Sequence, residues 1–249
     1  MPKKILLNCE NYETAIQSIE KILGIPQNEV LSYVDSIPEE QILNERLLID
    51  LKRQFNIKRI NYNGTIWFHG CRRKSRDKYK NGIKPLKQIL PELKKELEEI
   101  WHKIPKVNRE EQNRSIGVSG SLGLKLYGNS DEGPYGYLIK EHLLIKSTES
   151  YDYLKIPEIV DDLIRCTNEY STFYSEMVEY YKKETQSKII KFKTDEVSLY
   201  HIEIVIRYLA VKKHNIPLDD FFIKTNTCFD SGGYTIPFQD ILNIEIIDY

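Results

Sequence analysis

In the stretch TIWFHGCRRKSRDKYKNGIKPL, residues 65–86, an apolar run of Ile66, Trp67 and Phe68 meets His69-Gly70 and then a cluster of cations. An imidazole followed by glycine at a strand end presents a hydrogen-bonding ring beside a main chain that no Cβ shields. Such a pair suits a planar amide or a sugar hydroxyl. The structural alternative is a histidine that bonds only its own chain and a glycine that only lets it turn. Beside the pair, Arg72, Arg73, Lys74, Arg76, Lys78 and Lys80 stand against Asp77 alone. That cluster suits a nucleotide phosphate or an RNA backbone, or else is a solvated loop.

Other chemistries are poorly served. His69-x-Cys71 has no second pair at ligand spacing, and His102, His142, His201 and His214 are isolated, so no metal is expected. Cys71 as a nucleophile with His69 as its base lacks an orienting carboxylate. GVSGSLG, residues 117–123, lacks the Lys-Ser/Thr of a phosphate-binding P-loop and follows no predicted strand. Cys9, Cys71, Cys166 and Cys228 are scattered without a C-x-x-C spacing, which predicts reduced thiols.

Several elements must position these groups. Over the first 58 residues, apolar side chains recur at spacings of three and four, and prolines mark helix starts. A helix is expected over Tyr12 to Leu23, a second from Pro26, and a third from Pro38 through Ile42, Leu47, Leu48 and Leu51 to Phe55. Strand character begins at Lys58, with Asn63-Gly64 as a two-residue hairpin signal. Leu93, Leu97, Ile100 and Trp101 form a helical stripe after Pro91. Residues 105–134 are Gly- and Ser-rich and are expected to be a long mobile loop or pair of loops. Pro157 opens a long helix to about Lys183. SKIIKFK reads as a strand and EVSLYHIEIVIRYLAVKKHN as a buried helix, although its Ile and Val content would also suit a central strand. DFFIKTN and ILNIEIID are expected as closing strands around the turn-rich DSGGYTIPFQD.

WFHGCRR followed by NGIKPL resembles the opening of ADP-ribosyltransferases, which carry aromatic-His-Gly-Thr-Arg on an early strand and then a glycine-hydrophobic-x-Pro stretch. The resemblance covers about 20 residues. It implies that His69 binds the adenine-side ribose of NAD, that the Gly70 main chain grips the nicotinamide carboxamide, and that Arg72 reaches the pyrophosphate. Cys71 stands where the family usually has threonine. For the tyrosine that stacks on nicotinamide, Tyr127, Tyr135 and Tyr137 are candidates; Tyr137 is assigned the catalytic role and Tyr135 a cofactor-binding one. IPFQDILNIE resembles the ending of some family members, and Glu245 is then the carboxylate facing an oxocarbenium-like transition state.

Composition bounds the rest. The 249 residues carry 36 Lys+Arg and 37 Asp+Glu, a net charge of −1 that supplies no general field toward nucleic acid or an anionic membrane. No apolar run reaches the ~20 residues that span a bilayer, and the N-terminus has too short an apolar stretch for a signal peptide; a cytoplasmic protein is expected. The expectation is an α+β protein: a helical cap over 1–58, then a mixed or antiparallel-sheet ADP-ribosyltransferase-like domain over 59–249. NAD is its substrate and a protein or nucleic acid its acceptor, as in a toxin, an antiviral effector or a modifier of host macromolecules. The rival is a non-enzymatic protein-binding or nucleotide-sensing module, in which a tyrosine-rich surface (17 tyrosines) recognises a protein partner.

Overall fold

Helix α1, Tyr12–Leu23, begins at Asn11, whose side chain accepts from the Thr14 N–H at 2.9 Å while the Thr14 hydroxyl accepts from the Asn11 N–H at 3.0 Å. This reciprocal cap satisfies two N–H groups that a helix start otherwise leaves over. The computed structural model to which it belongs describes residues 4–43, 46–105, 123, 132–145, 152–225 and 228–248. Tyr127 and most of the Gly- and Ser-rich stretch lie outside the described residues.

The chain forms an α+β fold as two compact units. The first comprises Met1–Phe68, Gly136–Ser150 and Lys191–Phe229, the second His69–Tyr135, Tyr151–Ile190 and Asp230–Tyr249. Five strands make one antiparallel sheet in the order β4-β2-β1-β3-β5: β1 Thr65–Arg73, β2 Tyr135–Tyr137, β3 Gln186–Thr194, β4 Cys228–Asp230 and β5 Ile241–Ile247. Phe68 stands opposite Tyr137 in the β1–β2 pair. Two isolated parallel bridges, Leu7 to Thr65 and Cys9 to Ile139, bring in the N-terminal segment.

In the first unit, α1, α2 (Gln27–Ser36) and α3 (Leu47–Gln54) pack on α8, Leu199–Lys213, as does the short α9, Leu218–Lys224. Residues 201 to 211 of α8 are all buried, so its apolar circumference comes from being surrounded. In the second unit, α4 (Leu86–Trp101), α5 (Glu158–Cys166), α6 (Asn168–Thr172) and α7 (Tyr174–Glu184) share a core of Leu93, Leu97, Trp101, Leu163, Met177 and Tyr181.

Several expectations are corrected. Asn63-Gly64 is no hairpin: residues 57–64 form no strand, the Asn63 N–H donates to Ile5 O at 2.7 Å, and its carboxamide accepts from Ile5 N at 2.9 Å. The turn signal is overridden by pairing with a distant segment. Gly64 is needed there because a Cβ would stand 2.1 Å from Thr194 O. The third helix is divided into a 3₁₀ turn, Glu39–Gln41, and α3. The helix after Pro157 breaks at Thr167, which is extended (φ −100°, ψ 116°) and whose hydroxyl donates to Leu163 O at 2.9 Å, and again at Phe173. α4 begins a turn before Pro91 and runs through it. Asp220–Lys224 of DFFIKTN is helical in α9, not a strand, because Pro217 precedes its first turn and Asp219 and Asp220 complement the helix dipole; Asn226 lies outside the described residues.

Candidate functional site

Strand β1 does not end at His69-Gly70 but continues to Arg73. Gly70 is buried and is not among the glycines with positive φ, so it makes no turn. The turning alternative therefore falls away.

His69 is half-buried, and its Nδ1 lies 2.7 Å from Tyr135 O. A carbonyl oxygen only accepts, so Nδ1 carries the proton and donates. Burial lowers the imidazole pKa, which keeps the ring neutral near pH 7, while the Tyr135 bond acts the other way. A neutral ring protonated at Nδ1 offers Nε2 as an acceptor. The second unit thus holds a fixed tautomer whose remaining lone pair suits a donating hydroxyl. The Tyr135 contribution to this contact comes from its main chain rather than its ring.

Arg72, placed by resemblance at a pyrophosphate, is 7% exposed and turned into its own unit. Nε donates to Thr185 Oγ1 at 3.0 Å, Nη1 to Leu154 O at 3.1 Å and Ser187 Oγ at 2.5 Å, and Nη2 to Lys182 O at 2.9 Å and Thr185 O at 3.2 Å. Five acceptors match the five N–H groups of a guanidinium, leaving none for a phosphate. Tyr181 completes the clamp by donating to Arg72 O at 2.7 Å.

The rest of the basic run is also largely committed. Arg73 meets Asp77 at 3.1 Å, Glu96 at 3.2 Å and Glu92 at 3.4 Å; Lys74 meets Glu99 at 2.6 Å. Arg76, Lys78 and Lys80 are exposed. Cys71 is buried, with Sγ 3.0 Å from the Tyr79 hydroxyl, and burial pushes its thiol up to about 11, which removes the thiolate a nucleophile needs. Below it, the buried Lys188 ammonium donates to Lys74 O and Asp77 O, both at 2.9 Å, closing the turn after β1. Sequence reasoning missed Lys188; β3 carries three lysines, Lys188, Lys191 and Lys193, and nothing in its sequence marks the one that is buried.

Glu245 lies half-buried on β5 in the same unit as His69. Tyr137 belongs to the first unit. Its ring meets His142 at a centroid distance of 4.2 Å, and Phe222 stacks on the other partner of this group, 4.4 Å from His142 at 16°. Burial holds His142 at about 4. The unfolded chain, with histidine near 6.5, binds this proton first, so stability is full above about pH 6.5 and falls as pH drops toward 4, by about 2–3 kcal/mol from this group. Urea unfolding at several pH values is expected to show wild type losing that much relative to His142→Phe across this window.

Among the described residues, no group of three or more His, Cys, Asp or Glu side chains could hold a metal ion, and no helix is long and apolar enough to cross a membrane.

No family model matches this chain, and neither a curated protein nor a solved structure shows significant similarity to it. The functional reading therefore rests on the residues themselves.

Proposed function

We propose that this protein binds NAD at His69-Gly70 and transfers its ADP-ribosyl group to a macromolecular acceptor. The observation that carries this reading is the 2.7 Å bond from His69 Nδ1 to Tyr135 O, which fixes Nε2 as an acceptor beside a glycine main chain. A ribose hydroxyl would donate to Nε2, and Gly70, which has no side chain, would leave room beside the ring for the bound dinucleotide. In the reaction, the bond from the ribose anomeric carbon to the nicotinamide nitrogen breaks, both electrons leaving with nicotinamide. The positive charge left on the sugar is stabilised by a carboxylate, for which Glu245 is the proposed group, and the acceptor nucleophile then bonds to that carbon and gives up its proton to solvent. Arg72 and Tyr137, engaged elsewhere, have no part in this proposal.

Incubation with nicotinamide-labelled and adenine-labelled NAD in cell lysate tests it. Wild type is expected to release nicotinamide and to label a macromolecule; at subsaturating NAD, His69→Ala, a half-buried position, is expected to lower both by about 10²-fold, the loss of one contact to bound NAD worth about 2.7 kcal/mol. Absence of release from both proteins would reject transfer and leave binding to be judged separately.

A further inference from the structure

We infer that β5 is the seam of a homodimer, two copies pairing their β5 strands antiparallel about a two-fold axis at Ile244. β5 is the last strand in the sheet order, and among the described residues no strand pairs with its outer edge. Edge strands are ordinarily protected by proline, lysine, inward charges or brevity, because their unpaired N–H and C=O groups template another strand. Ile241–Ile247 runs seven residues, contains neither proline nor lysine, and carries Glu245 as its single charge. It also displays Leu242 at 45% and Ile246 at 60% exposure, and just upstream Phe238 is exposed at 53% and Tyr234 at 77%.

The occupant follows from the sequence of the strand itself. Antiparallel pairing centred on Ile244 sets Leu242 opposite the partner's Ile246, Ile244 opposite its own copy, and Asn243 opposite the partner's Glu245. Each exposed apolar side chain then meets an apolar one, and the one acid meets an amide instead of a like charge. The contact is isologous, as a two-fold dimer requires. A seven-residue strand pair is smaller than the ~800 Å² per partner of a standard interface, so the dimer should exchange and dissociate on dilution.

Two measurements test this with the full chain. In sedimentation velocity at about 100 µM, wild type is expected to be largely dimeric, and Leu242→Lys/Ile246→Lys, changed only at exposed side chains, to be at least tenfold weaker in association with an unchanged thermal midpoint. In a Cys228→Ser background, Ile244→Cys should cross-link to a dimer under mild oxidation, whereas Leu242→Cys alone should not, because its counterpart is residue 246. A wild type that stays monomeric at that concentration, a dimer insensitive to the double lysine variant, or cross-linking through residue 242 but not 244 would each overturn the proposal.

Discussion

Glu203→Ala is expected to lower the unfolding free energy by about 3–5 kcal/mol, the cost of removing one partner of a buried ion pair. Glu203 is on α8 and only 6% exposed. Its carboxylate accepts from the first-turn N–H groups of α3, Leu47 at 3.1 Å and Leu48 at 2.7 Å, and from Arg207 Nε at 3.3 Å. Arg46 provides no side-chain cap to α3, so the carboxylate from α8 satisfies the helix start and complements its dipole. Without it, two N–H groups and the Arg207 guanidinium, 3% exposed, remain buried without that acceptor. Glu203→Met/Arg207→Met should recover much of the loss, since removing both charges leaves neither stranded. Denaturant unfolding of the three variants checks this. A single-variant loss below about 1 kcal/mol would show that Glu203 does not cap α3.

Arg72→Lys is expected to cost about 3 kcal/mol, and Arg72→Ala more, through unpaired acceptors in the second unit. Lysine carries three donors at a point where five acceptors converge on a planar fork, so retaining the charge does not retain the bonds. The same substitution separates two roles for this residue. If Arg72 held a pyrophosphate, Arg72→Lys would leave the melting curve in place and weaken NAD binding. As an internal clamp it lowers stability while the NAD affinity of the folded fraction stays within about threefold of wild type, a change of less than 1 kcal/mol. Paired denaturation and binding measurements on this variant distinguish the outcomes.

Both residues show where the sequence stops being readable. α1 is legible because Asn11, Thr14 and Gly24 cap a helix whose apolar residues recur at helical spacing, so every determinant lies within 14 positions of chain. β3 and β5 are legible as short β-branched runs between turn residues, and α8 as a helix apolar almost all round. The Glu203 cap is not legible, since it joins groups 155 and 156 residues apart. Nor is the fate of Arg72, whose partners lie between 82 and 115 residues away and are mostly carbonyls, which every residue has. Asn63-Gly64 carries a strong local signal, but hydrogen bonds to Ile5, 58 residues earlier, decide its conformation.

At the site, the sequence singles out His69 and Gly70 by type, and the strand geometry adds the tautomer. It offers no means of seeing that Tyr135 acts through its carbonyl. Nor does it show that the neighbouring cations Arg72, Arg73 and Lys74 are spent on the protein itself. A basic cluster reads as a phosphate site until its counter-ions are placed, and Glu92, Glu96 and Glu99 lie on α4, a helix whose charged face reads as merely solvated.

If His69 accepts from a hydroxyl of NAD, as proposed, the thermal midpoint with and without NAD must separate wild type from His69→Ala. A ligand bound only by the folded state contributes roughly 2.7 kcal/mol at 100 times its dissociation constant. Wild type should therefore melt several degrees higher with NAD, and His69→Ala should not respond. Equal shifts in the two proteins, or none in wild type, would contradict the assignment of His69-Gly70 as the NAD site.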